Sequence, residues 1–137
     1  VNGGEMTTAE YRAQVHKGTS EGAFMAQVIG MARAAGWLVH HCRPVVTKSG
    51  RAMTPIQGDG GFPDLAMVWF HPDDERHDLA VVAELKSWRG RSAYQPGQEH
   101  WIDAWRAIEK GSRGYVRAFV WTPMDWDEIE RVLERRE

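Results

Sequence analysis

Three charged residues stand at the ends of runs that are otherwise apolar. Asp64 follows Pro63 at the head of the run 64–70, and Glu84 and Lys86 close a second run, 79–86. The polar stretch 71–78 between them reads as the turn of a hairpin. With that turn centred near residue 74 or 75, Asp64 lies opposite Leu85 and so beside Glu84 and Lys86. Directly paired residues sit about 5 Å apart and diagonal ones about 7–8 Å. Alternation puts Glu84 and Lys86 on one face and Leu85 on the other. Two carboxylates and an ammonium group at that spacing suit a hard divalent cation. Mg2+ takes oxygen ligands, keeps several waters, and is commonly held by one or two carboxylates together with a phosphate. Such an ion acidifies a bound water and neutralises charge developing on the phosphate. Lys86 could orient or deprotonate that water, or stabilise the transition state. The plainer reading is a Glu84–Lys86 surface pair with Asp64 merely opening a strand, but 79–85 is too apolar for an exposed edge.

Positioning these groups falls to the flanking elements. Residues 7–15 read as a short helix capped by Thr7 or Thr8. A stronger helix runs from Thr19 or Ser20 to about Ala35, with Phe24, Val28, Met31 and Ala35 in one stripe and Gly36 just past its end. Residues 37–42 read as a strand. From 43 to 63 the pattern dissolves into a connection punctuated by Pro44, Gly50, Pro55, Gly58, Gly60 and Gly61; connections this long are usually functional or mobile. Residues 88–95 form a second polar loop. Pro96 or Gly97 opens a helix to about Lys110 that turns Trp101, Trp105 and Ile108 inward. Residues 115–121 read as a strand. Thr122 and Pro123 supply a cap and a first-turn proline for a last helix that buries Trp126, Ile129, Val132 and Leu133. The order helix, strand, hairpin, helix, strand, helix predicts an α/β fold with a mixed sheet.

A chain of 137 residues is expected to form one domain, 1–137, with an arm over 1–18 and a core over about 19–135. Its 42% hydrophobic content and seven tryptophans exclude a disordered chain. Cys42 is the only cysteine, which excludes an intrachain disulfide and multi-cysteine zinc sites and favours a reducing, cytoplasmic setting. No apolar run is long enough to span a membrane, and the first residues lack the blocks of a signal peptide, so no membrane partner is expected. A net charge of −2 argues against a broad nucleic-acid-coating surface, although basic residues gather at 43–51 and 89–91. The histidines make no zinc-hydrolase pattern: His40 and His41 point to opposite faces, His71 and His77 flank a turn, and His100 reads as solvent-facing. The stretch 58–61 lacks the Lys-Ser/Thr of a phosphate loop.

Gly61-Phe62-Pro63-Asp64-Leu65, then Glu84-Leu85-Lys86-Ser87, then Gln98-Glu99-His100-Trp101 resembles the PD-(D/E)XK nuclease superfamily, and within it the VRR-NUC branch related to Holliday-junction resolvases. The similarity spans about residues 20–133. It implies a restriction-endonuclease-like core, a mixed sheet of about four strands flanked by helices. It makes Asp64 and Glu84 ligands of Mg2+ or Mn2+, with the backbone carbonyl of Leu85 completing the shell, and Lys86 the catalytic lysine. Glu21 matches an acidic residue on the first helix of resolvase-like members, and Gln98 a glutamine that points into the site. Read without the resemblance, Glu21 lies on the inward stripe of its helix, where a carboxylate wants a cation or a donor, or else it is a first-turn glutamate favoured by the helix dipole. Gln98 is otherwise a first-turn helix residue, and Trp101 reads as core in preference to a base-stacking platform.

Ser87, Trp88, Arg89 and Arg91 leave the second strand of the hairpin directly, where arginines could contact phosphates and Trp88 could stack on an unpaired base or join the core. Lys48 and Arg51 are the next candidates for DNA contacts; solvated loop charges are the alternative for each. The expected function is a Mg2+- or Mn2+-dependent endodeoxyribonuclease acting on branched or structured DNA, with a homodimer supplying two sites for symmetric cleavage. A nicking or exonucleolytic enzyme on duplex or single strands, an inert nucleic-acid-binding module, and an interaction domain unrelated to nucleic acid are the competing readings. The Gly-, Ala-, Arg- and Trp-rich composition fits a GC-rich genome such as a phage's.

Overall fold

A computed structural model describes residues 7–41, 45–46, 48–53, 57–87 and 94–136. In chain order these form α1 (Thr8–Lys17), α2 (Glu21–Ala34), β1 (Leu38–His41), β2 (Val45–Val46), β3 (Ala52–Met53), β4 (Leu65–Trp69), β5 (Leu79–Leu85), α3 (Gln98–Gly111), β6 (Val116–Trp121), a 3₁₀ turn (Pro123–Asp125) and α4 (Trp126–Leu133). The starts of α1, α2 and the 3₁₀ turn are fixed by local side chains, as the sequence predicts. Thr7 and Glu10 exchange hydrogen bonds across the first turn of α1. Ser20 Oγ accepts from Ala23 N at 3.1 Å, and Thr122 with Asp125 forms a capping box; each satisfies N–H groups that a helix start leaves without a partner.

The fold is α/β, a four-stranded mixed sheet flanked by helices, with strand order β1-β4-β5-β6. β1, β4 and β5 are antiparallel, and β6 runs parallel to β5. Parallel neighbours need a crossover, which α3 supplies. On one face, Leu65, Met67, Trp69, Leu79, Val81, Ala83, Leu85, Phe119 and Trp121 join Phe24, Val28 and Ala32 of α2 and Ile129, Val132 and Leu133 of α4 in the main core. Trp37 Nε1 donates to Leu133 O at 2.8 Å, tying the α2–β1 turn to the end of α4. α3 packs on the opposite face against β6. β5 is therefore buried on both sides, and its near-continuous apolar run follows from that.

Three expectations change: the hairpin register, the connection 43–63 and the phase of α3. The hairpin ladder pairs Leu65 with Ala83, so continuing it places Asp64 opposite Glu84, one residue from the expected register. The connection 43–63 contains a small antiparallel pair, β2 with β3, too short to leave a period in the sequence. The turn 71–78 stands where expected and is in addition fastened to the end of α4: Arg76 binds both carboxylate oxygens of Asp74 at 2.9 Å and donates to the carbonyls of Glu134 and Arg135. Finally, α3 is rotated from the expected phase. Ile102 is its buried residue, Trp101 and Trp105 are half-buried, and Ile108 is 52% exposed. The inward stripe includes two polar residues, Gln98 and Glu109, each with a specific partner; Glu109 Oε1 accepts from Ala118 N at 3.1 Å. Hydrophobic spacing alone misplaces such a stripe.

Gly30 lies exposed within α2, and a Cβ there meets nothing within 4 Å. Gly30→Ala is therefore expected to stabilise the protein by about 0.5–1 kcal/mol, since alanine loses less backbone entropy in a helix. A urea unfolding midpoint unchanged or lowered by the substitution would contradict this.

Candidate active site

Several elements deliver side chains or backbone groups to the end of the sheet where β4 begins and β5 ends. Asp64 stands just before β4, after the buried Pro63. Its Oδ2 accepts from Leu85 N at 2.8 Å, so the carboxylate extends the β4–β5 ladder by one step in place of a main-chain carbonyl. From β1, His41 Nδ1 lies 3.1 Å from Asp64 O. Alternation turns Glu84 and Lys86 away from the main core and toward α3, where both are buried, at 1% and 6% exposure. Lys86 N donates to Trp121 O at 2.8 Å, fixing the end of β5 to β6. The N–H and C=O of one strand residue point to the same side. The Leu85 carbonyl therefore faces the Asp64 side, beyond the last ladder pair.

Gln98, the first residue of α3, joins the other two side chains. Its Nε2 donates to Glu84 Oε1 at 2.8 Å, while its Oε1 accepts from Lys86 Nζ at 2.8 Å and from Gln95 N at 2.7 Å. Lys86 Nζ lies 3.5 Å from Glu84 Oε1 and 5.4 Å from the centre of the Tyr94 ring. The start of α3 is held in place by a backbone-to-backbone approach. Gly61 and Gly97 both have positive φ, +93° and +87°. A Cβ on Gly61 would overlap the Gly97 carbonyl carbon and Gln98 N, and one on Gly97 would overlap Gly60 O. Only residues without a side chain allow the loop before Asp64 to lie this close to the helix carrying Gln98.

The electrostatics of this cluster are unbalanced. Glu84 Oε2 is buried and has no hydrogen-bond partner. Burial first, and then the neighbouring Asp64 carboxylate, push the Glu84 carboxyl up to about 8, against the opposing pull of Lys86. A buried carboxylate oxygen with no donor is costly. A divalent cation between Asp64 and Glu84 would meet that oxygen, remove the repulsion and favour the ionised acid. The donor set fits a hard cation: two carboxylates and the Leu85 carbonyl, all oxygen.

The structure brings together Asp64, Glu84, Leu85, Lys86 and Gln98. Glu21 departs from the expectation. It is an exposed first-turn residue of α2, a helix that packs on the opposite face of the sheet, and no group of three or more His, Cys, Asp or Glu side chains able to hold a metal occurs among the described residues. The inward stripe of α2 starts at Phe24, and Glu21 faces solvent at the helix's positive end. Ser87 is half-buried directly after β5, whereas Lys48 and Arg51 are exposed on the β2–β3 connection. Trp88, Arg89 and Arg91 lie outside the described residues, as does Cys42. His41, Tyr94 and the Gly61–Gly97 contact escaped sequence reasoning. A loop tyrosine before a helix carries no periodic signal, and the two glycines gain meaning only once their approach is seen. No protein-family model matches the chain, and no curated protein matches its sequence.

A raised carboxyl pKa means that the folded state holds its proton more tightly than the unfolded chain. The associated stability is thus complete below about pH 4.5 and is lost as pH rises through about 8. In the absence of divalent metal, Glu84→Gln should accordingly stabilise the protein by about 1–4 kcal/mol at pH 9 and by far less at pH 5. Urea unfolding in EDTA at both pH values checks this, and an equal effect at the two would contradict it. Gly61→Ala should cost more than about 2 kcal/mol, from left-handed strain plus overlap with α3; an unchanged unfolding midpoint would refute the close packing described.

Proposed function

We propose that this chain is a Mg2+- or Mn2+-dependent endodeoxyribonuclease of the PD-(D/E)XK type, working on branched or otherwise structured DNA inside the cell. One observation carries the reading: the buried Glu84 carboxylate, with Asp64 beside it and one oxygen lacking any donor. Structural ion pairs close on themselves, and this one does not. The resemblance of the Pro63-Asp64, Glu84-Leu85-Lys86 and Gln98 segments to that superfamily adds the nucleic-acid substrate, and its resolvase-like branch adds the preference for branches.

In the reaction, water adds to phosphorus and one P–O ester bond breaks, leaving a phosphate monoester on one fragment and a hydroxyl on the other. Asp64, Glu84 and the Leu85 carbonyl would hold the divalent ion. When bound, such an ion supplies Lewis acidity toward the phosphate and a more acidic water. Asp64 is oriented for this by the Leu85 N–H, and Glu84 by the Gln98 amide. Lys86, held by Gln98 at 2.8 Å and by Glu84 at 3.5 Å, places an ammonium group against the charge that grows on the phosphoryl oxygens. Gln98 is the brace between the acid and the ammonium group. Its removal should misplace both without removing either.

Cleavage assays with labelled four-way, flapped, nicked and linear DNA test this. Wild type should cut in Mg2+ or Mn2+ and stop in EDTA. Asp64→Asn, Glu84→Gln and Lys86→Ala should each lose at least about a hundredfold in rate, and Gln98→Ala should lose less, while DNA binding in Ca2+ stays within a few fold. Wild-type protein that binds these DNAs without cutting any of them would favour the inert binding module instead.

A further inference from the structure

A second feature lies against the first turn of α3, where Gly97 lines it and the next residue, Gln98, reaches Glu84. A cleft of 580 Å³ opens between the 59–60 loop and α3, lined by Asp59, Gly60, Pro96, His100, Trp101 and Ala104, with Gly97 at its inner wall. Its volume falls in the range of small-molecule sites. Trp101 is only half-buried and is held in one orientation. Its Nε1 donates to Gly60 O at 3.1 Å and reaches Asp59 O at 3.3 Å, and the ring of Phe62 meets it nearly perpendicularly at 5.0 Å. An aromatic ring fixed in this way and open to solvent is ready to stack on a flat partner without losing further freedom.

The lining chemistry limits what that partner can be. Among its described lining residues there is no lysine or arginine, and Asp59 brings a carboxylate, a set that disfavours a phosphate. An uncharged planar ring with hydrogen-bonding edges is suited, because Trp101 offers a stacking surface and His100 and Asp59 lie at its margin. The position limits it further: Gly97 in the cleft wall is joined directly to Gln98, whose amide touches both Glu84 and Lys86.

We propose that this cleft receives an unpaired nucleobase of the substrate strand, stacked on Trp101, next to the phosphodiester bond that is cut. The inference rests on the nuclease reading and deepens it. A base inside a continuous duplex has its faces stacked and its edge paired, so it reaches such a cleft only by leaving the helix. The cleft therefore selects DNA that already carries an unpaired nucleotide at the cut, as at a flap or an open branch, over uninterrupted duplex.

The test uses flapped DNA with a single 2-aminopurine placed in turn at each unpaired position near the branch, and a fully paired duplex of the same sequence as control. Binding by the full chain is followed in Ca2+ by anisotropy and by 2-aminopurine emission. At one position the emission should be quenched by stacking. Ala104→Phe fills the cleft from an exposed helix position and leaves the Trp101 hydrogen bonds intact. It should weaken binding of the flapped DNA about tenfold, restore the emission, and leave duplex affinity unchanged; Trp101→Leu should do the same. The proposal is overturned if no position is quenched, if both variants bind the two DNAs as wild type does, or if no DNA binds at all. Wild-type cleavage in Mg2+ is scored separately. Quenching without cleavage would sink the nuclease reading and leave the cleft's role standing, whereas cleavage without quenching would remove the cleft alone.

Discussion

The structure turns on a buried glutamate that is not fully neutralised. Glu84 is almost completely excluded from solvent at the end of the central strand, with Asp64 close by and Lys86 and Gln98 engaging only one of its oxygens. Removing a carboxylate from water is expensive unless each oxygen finds a donor or a cation. In the metal-free protein the expense shows as a carboxyl that holds its proton to about pH 8. A fold selected only for stability would be served as well by an apolar residue here, because replacing a buried ion pair with well-packed hydrophobic groups is commonly neutral or favourable. Retaining two acids, an ammonium group and an amide in one buried corner instead makes sense as preorganisation for a charged ligand.

The rest of the architecture serves that corner. β5 is covered on one face by α2 and α4 and on the other by α3, which deprives Glu84 and Lys86 of water. The parallel placement of β6 requires the chain to cross the sheet, and the crossing helix begins with Gln98 over the end of β5. Two glycines of positive φ bring the loop before Asp64 into backbone contact with that helix start. Two environments adjoin that contact. One holds the carboxylates suited to a cation, and the other a half-buried indole in a cleft with no lysine or arginine among its described lining residues.

Much of this was legible in the sequence because it rests on local rules. Caps at Thr7, Ser20 and Thr122, the glycine after α2, the apolar runs of β4 and β5, and the polar turn between them all announce themselves within a few residues. The convergence of Asp64, Glu84 and Lys86 is legible from strand periodicity and an approximate turn centre, but its geometry is not: opposite Leu85, Asp64 would share the face of Leu85, and only the observed register, one residue away, sets it opposite Glu84 and on the face of Glu84 and Lys86. What stayed hidden depends on tertiary partners. Counting from Phe24 places Glu21 inward, yet it is an exposed first-turn residue of α2. Trp101 and Ile108 were placed in the core by spacing, yet Gln98 and Glu109 take inward positions because each finds a hydrogen-bonding partner on the sheet. Tyr94 and His41 carry no pattern in the chain and appear at the site only through the fold.

The most direct test of the central claim is calorimetric titration of the metal-free protein with Mn2+ at pH 7, repeated in buffers of different protonation enthalpy to count protons. If Asp64 and Glu84 form the cation site, binding should release close to one proton per ion, from Glu84, and both binding and release should vanish in Asp64→Asn. Binding with no proton release, or undiminished binding in that variant, would place the ion elsewhere and contradict the account.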